Sequence, residues 1–364
     1  MTTAVAAKSQ VRTAMNPRRY LGDAWRHPIT RAVIKAFLTV WVTTTLTFFL
    51  IRLMPGSPVE LKIDELITTS GGALSYEEAA QLASNLFAID LNAPLHEQYL
   101  SFIWNLVHFD LGSSFLSQST SVMSIILAVL PWTLFSVGTG LMLSFVAGIG
   151  LGLLAAYRRD SLLDHAVSTT GSVISSIPNY LLALLIILFF GIQIRLIPIT
   201  QMRGSMSPGM RPGFTPEFVG DIFFHAALPI AVYFLTNIGH WILSMRAATL
   251  AALEEDYVTA ARARGLPDGR IRNAYVGRNA VLPLVTQFAI NIGFIVGGAA
   301  IIEQIFTYQG IGLRLLSAVT QRDYPVMQGI LLMTTISVVV ATLGADLLYS
   351  KLDPRIGRAG GASG

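Results

Sequence analysis

The sequence predicts an all-α polytopic membrane protein, and three observations carry that prediction. Of its 364 residues, 53% are hydrophobic and only 13% charged, where soluble domains use about 25% charged residues. The mean hydropathy is +0.59. The charges are also unevenly spread, leaving six long windows nearly free of them. A soluble chain of this length needs far more charge to cover its surface, and a disordered one far less apolar residue. There is no cysteine, which excludes disulfides, thiolate metal sites and cysteine nucleophiles.

A spanning helix needs about 20 apolar residues at 1.5 Å rise. The windows place six spans at roughly 33–54, 126–156, 164–191, 223–247, 280–302 and 325–349. The second window is too long for one crossing, so its first part, from Val122 to Pro131, is expected at the membrane surface. Asp346, near the inner end of the sixth span, is expected to snorkel or to bond within the bundle. The boundaries read as an N-terminal tail over 1–31, a membrane domain over 32–350 with an external loop at 55–121 and a cytoplasmic loop at 251–279, and a C-terminal tail over 351–364.

Lys and Arg set the orientation. The N-terminal tail and its junction hold seven, the loop after span two holds Arg158 and Arg159, the loop after span four holds six, and the C-terminal tail holds three. That places 18 of the 25 on one side, so both termini read as cytoplasmic. The basic balance reports orientation and anionic lipid headgroups; no nucleic-acid footprint is required. More than 30 residues precede the first apolar run, and that run is long enough to span, so the N-terminus does not read as a signal peptide.

Several chemistries have no sequence support. A P-loop needs Gly-Lys followed by Ser or Thr; the four lysines follow Ala7, Ile34, Leu61 and Ser350, so no phosphate cradle can form. The stretch Ser70-Gly71-Gly72 and the string Gly112-Ser113-Ser114 lack the surroundings of an ATPase signature or a serine nucleophile. The six histidines show no i,i+4 metal pair. His225 and His240, in or near span four, read as satisfied interior or interfacial histidines, with a proton relay as the sharper alternative. No catalytic, cofactor or metal residue is assigned.

The informative stretch runs from Glu254 to Pro283. Glu254, Glu255 and Asp256 favour a helix N-terminus. Tyr257, Val258, Ala260 and Ala261 supply a small mixed face. Gly265 can take positive φ and end that helix, with Pro267 soon after. Asp268 can cap a following segment that carries Arg270, Arg272 and Arg278. The loop therefore reads as a helix–glycine–helix knob. Either it is a solvated basic loop that enforces orientation, or it docks a partner.

This stretch resembles the EAA loop of ABC-importer permeases, in the dipeptide/oligopeptide/nickel branch. The positions are Thr259-Ala260-Ala261, then Arg262-Ala263-Arg264, then Gly265, with Thr259 replacing the named acid. Asp256-Tyr257-Val258 and Ala261-Arg262-Ala263-Arg264-Gly265 match the branch directly. Elsewhere, Met54-Pro55-Gly56-Ser57-Pro58 resembles its Pro-Gly-Asp-Pro with Ser57 for Asp. Asp110-Leu111-Gly112 with Ser114 resembles Gly-Asp-Leu-Gly-x-Ser with Phe109 for the first Gly. Ser176-Ile177-Pro178 lies inside span three. Gly297-Gly298, Glu303, Phe306 and Gly310-Ile311-Gly312 fit the end of span five, with Gln309 where Pro is usual. Arg322-Asp323-Tyr324-Pro325 precedes span six, and Leu352-Asp353-Pro354-Arg355 follows it.

The resemblance implies a type I ABC-importer permease fold with six spans in a bacterial inner membrane. It implies a chain that is no enzyme itself and forms half of a pore with a second, homologous permease subunit. The implied partners are two ATP-binding subunits, an extracytoplasmic substrate-binding protein and membrane lipid. The implied docking residues are Asp256, Tyr257, Ala260, Ala261, Arg262, Arg264, Gly265 and Leu266. Arg262 and Arg264 either pair with acids of the ATPase or touch lipid headgroups. The external segment, with eight acids against Lys62 alone, is either a rim for the binding protein or a solvated loop. The implied substrate is a di- or oligopeptide. A secondary transporter is the alternative, and it would need no ATPase partner.

Overall fold

The computed structural model describes residues 28–53, 58–86, 94–117, 120–295 and 300–352. Residues 1–27 and 353–364 of the tails, the strings at 54–57 and 297–298, and the side chain of Asp346 lie outside the described residues. Helix α1 is Pro28–Arg52, followed by three short helices: α2 Pro58–Thr69, α3 Tyr76–Leu86 and α4 Leu95–Val107. Then come α5 Val122–Tyr157, α6 Leu162–Ser175, α7 Asn179–Ile186 with a π-helical continuation Ile187–Gln193, α8 Ile199–Met202 and α9 Pro216–Leu253. The chain ends with α10 Asp256–Ala263, α11 Asp268–Arg270 with a π-turn Ile271–Gly277, α12 Arg278–Phe294, α13 Ala300–Phe306, α14 Ile311–Thr320 and α15 Tyr324–Leu352. Among the described residues β-structure is limited to an isolated bridge between Ser113 and Ser121.

Four helices are long and apolar enough to cross a membrane, in α1, α5, α9 and α15; counting the bent pair α6–α7 as one makes five. The pair is bent by 97°, within the stretch 164–191 that the sequence suggested as one span. Pro178 explains the break: it lacks an N–H, and the residue before it is pushed out of the helical region. Ser176 Oγ covers the end of α6 by donating to the Val173 carbonyl at 2.7 Å. Of the expected fifth span at 280–302, α12 covers the part up to Phe294 and α13 the part from Ala300; residues 296–299 lie outside the described residues.

Helix α5 corrects another expectation. It runs unbroken for 36 residues with Pro131 inside, about 54 Å at 1.5 Å per residue. Its first turns continue the same helix and pack into the bundle. Val122 and Ile126 are fully buried, packed with Ile311, Tyr324, Met327 and Ile330. Ser121 starts the helix by accepting from the Ser124 N–H, the expected role of an N-cap serine.

The centre of the bundle is the α5–α9 contact. Gly140, Ser144, Gly148 and Gly152 recur every fourth residue on one face of α5, and all are buried. A Cβ added at Gly148 or Gly152 would run into Trp241 or Ile242 of α9. In a membrane the helices gain little from hydrophobic burial, so close backbone approach through small residues supplies the packing.

The short helices form a satellite core of Ile63, Ala79 and Ala83 with Leu66, Ile67 and Phe115. Ser75 and Glu78 make a capping box at α3: the Glu78 N–H reaches Ser75 Oγ, and the Ser75 N–H reaches Glu78 Oε2. These bonds hold the Glu78 carboxyl below its ordinary range. Gly71 and Gly72 have φ of +64° and +81° and close α2, with Gly72 N–H bonded to the Ile67 carbonyl; that stretch is a turn.

Helix α4 ends with Phe109 at φ +59°. Phe109 N–H bonds to Leu106 O and Asp110 N–H to Asn105 O, the paired closure that favours glycine at this position. The side chain is 86% exposed and contributes little packing in return. Phe109→Gly is therefore expected to stabilise the protein by up to about 1 kcal/mol, read as a higher unfolding temperature in detergent; a lower one would show that Phe109 makes contacts that offset its strain.

Candidate functional site

The knob is built directly on α9. That helix stops at Glu254, Glu255 is extended, and α10 begins at Asp256. An acid in the first turn and Arg262 in the last turn match the helix dipole. Arg264 is the C-cap, and Gly265 follows at φ +70°, as the sequence suggested. The Gly265 N–H bonds to Arg262 O at 2.9 Å and the Leu266 N–H to Ala261 O at 3.3 Å. This is a Schellman closure, which needs a left-handed residue where Gly265 stands.

One face of α10 is internal. Val258 and Ala261 are buried in the main core, with Tyr257 and Leu266 packed against it. Ile271 and Val276 of the π-turn are buried in the same core, and the Arg272 guanidinium lies 5.9 Å from the Tyr157 ring centroid at the end of α5. The knob is thus clamped to the ends of α5 and α9. Its other face is free: Asp256, Thr259, Ala260, Arg262, Ala263, Arg264 and Gly265 are exposed. Among the described residues Arg262 and Arg264 make no ion pair. Of the predicted docking residues, Ala261 supports the helix from beneath, and Tyr257 and Leu266 are half-buried at its edges. Asp268 does not cap the next segment; Pro267 holds the N-cap position and Asp268 is the first helical residue.

The chain matches the model of the family "binding-protein-dependent transport system inner membrane component" over residues 148–358, a stretch that contains α9, the knob and α15. This chain belongs to that family. A putative peptide permease protein of Brucella suis biovar 1 is 34% identical over 316 residues, covering 86% of this chain and 93% of the relative. The di/tripeptide transport system permease protein DppB of Pseudomonas aeruginosa is 33% identical over 332 residues, covering 87% and 95%. The oligopeptide transport system permease protein AppB of Bacillus subtilis is 31% identical over 313 residues, covering 86% and 93%. The family is an inner-membrane transport component with the type I ABC permease fold, and this chain is an importer permease.

The permease's scattered sequence strings meet in space. Ser114 Oγ and the Phe115 N–H both donate to the buried Asp323 carboxylate, which joins the Asp110–Ser114 turn to the segment before α15. Glu303 is 1% exposed. Its carboxylate accepts from Thr133 Oγ1 of α5 at 2.6 Å and from the Leu313 N–H at 2.9 Å, so it caps α14 from another element. Thr133 Oγ1 in turn accepts from the Ile311 N–H at 2.8 Å. Glycine is needed at 310 and 312 because a Cβ there would enter the Glu303 carboxylate or the backbone of Ala300. At Gln309, the N–H donates to Ser205 Oγ at 3.1 Å, a bond that the usual proline could not make.

Sequence reasoning missed the ion pair above the knob. Arg246 of α9 donates from Nε and Nη2 to Asp164 of α6 at 2.6 and 2.8 Å. The Asp164 side chain is 2% exposed and also accepts from the Asp160 N–H and Ser168 Oγ. The pattern Ser161-x-x-Asp164, a helix-start signature, was the available signal for the helix but not for its partner 82 residues on. His225 has Nε2 3.2 Å from Ser207 Oγ and 3.6 Å from Asp221 Oδ1, but its Nδ1 is buried without a hydrogen-bond partner among the described residues, so this interior histidine is satisfied on one side only. His240 Nε2 lies 3.0 Å from Gln287 Nε2.

Proposed function

We propose that this permease forms one half of the translocation path of an ATP-driven peptide importer and docks one of two ATP-binding subunits through residues 256–266. The single observation that carries the docking reading is the knob: a short helix fixed from below by Val258 and Ala261, with a free face bearing Arg262 and Arg264. A solvated loop that only set orientation would not need a buried seat. The peptide reading rests on the relatives' names.

In this proposal there are six spans, both termini are cytoplasmic, and the boundaries are those of tails at 1–31 and 351–364 around a membrane domain at 32–350. A homologous second permease completes the pore. The substrate-binding protein meets the acidic segment that contains α2, α3 and α4. ATP closure draws the two knobs together, and the long helices α5 and α9 carry that motion into the membrane. The ATP-binding subunits supply the hydrolysis.

Reconstitution of the permease pair with its ATP-binding subunits and binding protein in liposomes tests this. The expected result is uptake of labelled dipeptide that needs ATP and the binding protein, no ATP hydrolysis by this chain alone, and a tag after Gly364 reachable only from the cytoplasmic side. Peptide uptake driven by an ion gradient without the ATP-binding subunits would instead establish a secondary transporter.

A further inference from the structure

His240 of α9 and Gln287 of α12 are exposed, although both lie at membrane depth. His240 stands in the charge-free window between Asp221 and Arg246, about 9 Å along the helix from Arg246. Gln287 lies about 14 Å along its own helix from Arg278. By contrast, α1, α5 and α15 expose Leu46, Val146 and Val340 at comparable depth, side chains that suit acyl chains. The polar pair is carried on a rigid seam. The neighbouring Trp241 and Phe288 are both buried, with ring centroids 6.1 Å apart.

Among the described residues, the contact of 3.0 Å between the two side chains is the one hydrogen bond either makes. An imidazole and a carboxamide that share one bond leave a ring nitrogen, an amide oxygen and an amide N–H to be met from outside. Hydrocarbon cannot meet them. The break between α6 and α7 adds a second, independent observation. Residues 176–178 are not helical, and Ser176 and Pro178 are exposed. They lie about 18 Å along α6 from Asp164, which pairs with Arg246, and so fall inside the roughly 30 Å of hydrocarbon. Irregular backbone at that depth is covered by protein or by water, not by lipid. The break and the pair belong to one surface: a Cβ at Gly239, next to His240, would come 3.0 Å from that of the exposed Ser175.

We propose that the face formed by α6, α9 and α12, centred on Ser175, His240 and Gln287, is the wall of the water-filled path along which the substrate crosses. It offers hydrogen-bond donors and acceptors side by side, which suits the amide backbone of a peptide whatever its side chains. The identity of the substrate rests on the importer reading; that the face is wet rests on the exposed polar groups and the broken helix alone.

The test introduces single cysteines into a chain that has none: Ser175→Cys, Gln287→Cys and the control Leu46→Cys, each in the complex with the second permease and the ATP-binding subunits in liposomes. The probe is a membrane-impermeant cation, trimethylammonium-ethyl methanethiosulfonate, applied with and without ATP and vanadate. It reacts with thiolates in water, so Ser175→Cys and Gln287→Cys are expected to label at least about tenfold faster than Leu46→Cys in one nucleotide state or both. Modification of either should also stop uptake of labelled dipeptide. Labelling no faster than the control in both states would overturn the proposal and leave the face to lipid or to the second permease. Fast labelling with undiminished uptake would overturn it too, because the substrate would then travel elsewhere. Should Gln287→Cys not assemble, Ser175→Cys decides, since it exchanges one oxygen for sulfur. Labelling needs no transport, so a wild-type complex that takes up no peptide would count against the importer reading and not against the wet face.

Discussion

Gly265→Val is expected to leave the permease inserted and folded while abolishing transport. Nothing lies within 4 Å of a Cβ at this position, so the substitution creates no clash. Its cost is in the backbone, which sits at φ +70°, where a β-branched residue is strained by roughly 1–2 kcal/mol. The cheapest relief is to unwind the last turn of α10, which dissolves the bonds from Gly265 and Leu266 to the Arg262 and Ala261 carbonyls. Arg262 and Arg264 then leave the positions that the proposed docking to an ATP-binding subunit requires. Gly265→Asn should retain part of the activity, because asparagine tolerates the left-handed region. Co-purification of the ATP-binding subunit and uptake of labelled peptide read the result. Wild-type association and uptake in Gly265→Val would mean that this turn is unimportant for coupling.

The second large effect is expected at Arg246. Truncation to alanine leaves the Asp164 carboxylate, 2% exposed, without its bidentate partner. Breaking a buried pair from one side costs about 3–5 kcal/mol, and Arg246, at 28% exposed, places this pair near the lower end. Arg246→Ala should therefore lower the unfolding temperature sharply. The double substitution Arg246→Leu with Asp164→Leu should recover most of the loss, since it removes both charges and leaves apolar volume. The pair also ties α6 to α9 seven residues before α9 gives way to the knob, so the double variant should still fold yet couple ATP hydrolysis to transport poorly. An Arg246→Ala variant as stable as wild type would show that solvent already screens the pair.

The sequence exposed much of this architecture because membrane insertion and loop chemistry are local. Charge-free windows located α1, α5, α9 and α15, and the order acid, small residues, Gly265, Pro267 located the knob and its left-handed turn. What escaped was set by contacts distant in the chain. Nothing near Val122 shows that Tyr324 and Ile330 will cover it, so its burial in the bundle was invisible. The Asp164–Arg246 pair joins two windows whose charged ends looked like ordinary membrane borders. The bend at Pro178 was written in the sequence, but a proline inside an apolar run is compatible with both a kinked span and a sharp turn. For the docking surface, the exposed Arg262 and Arg264 were legible, whereas the inward turn of Ala261 depended on which face of α10 met α5 and α9.

The most direct measurement of the docking claim uses the absence of cysteine from this chain. Ala260→Cys places one thiol on the exposed face of α10, and a series of single cysteines across the upper surface of the ATP-binding subunit supplies the partner. With a short bifunctional thiol reagent, the account predicts a cross-link from position 260 to a confined patch of that subunit, with a yield that changes between the ATP-bound and nucleotide-free complex. A cysteine at Val258, buried under the same helix, should not react. An intact complex in which position 260 forms no cross-link, while cysteines elsewhere on the cytoplasmic surface do, would contradict it.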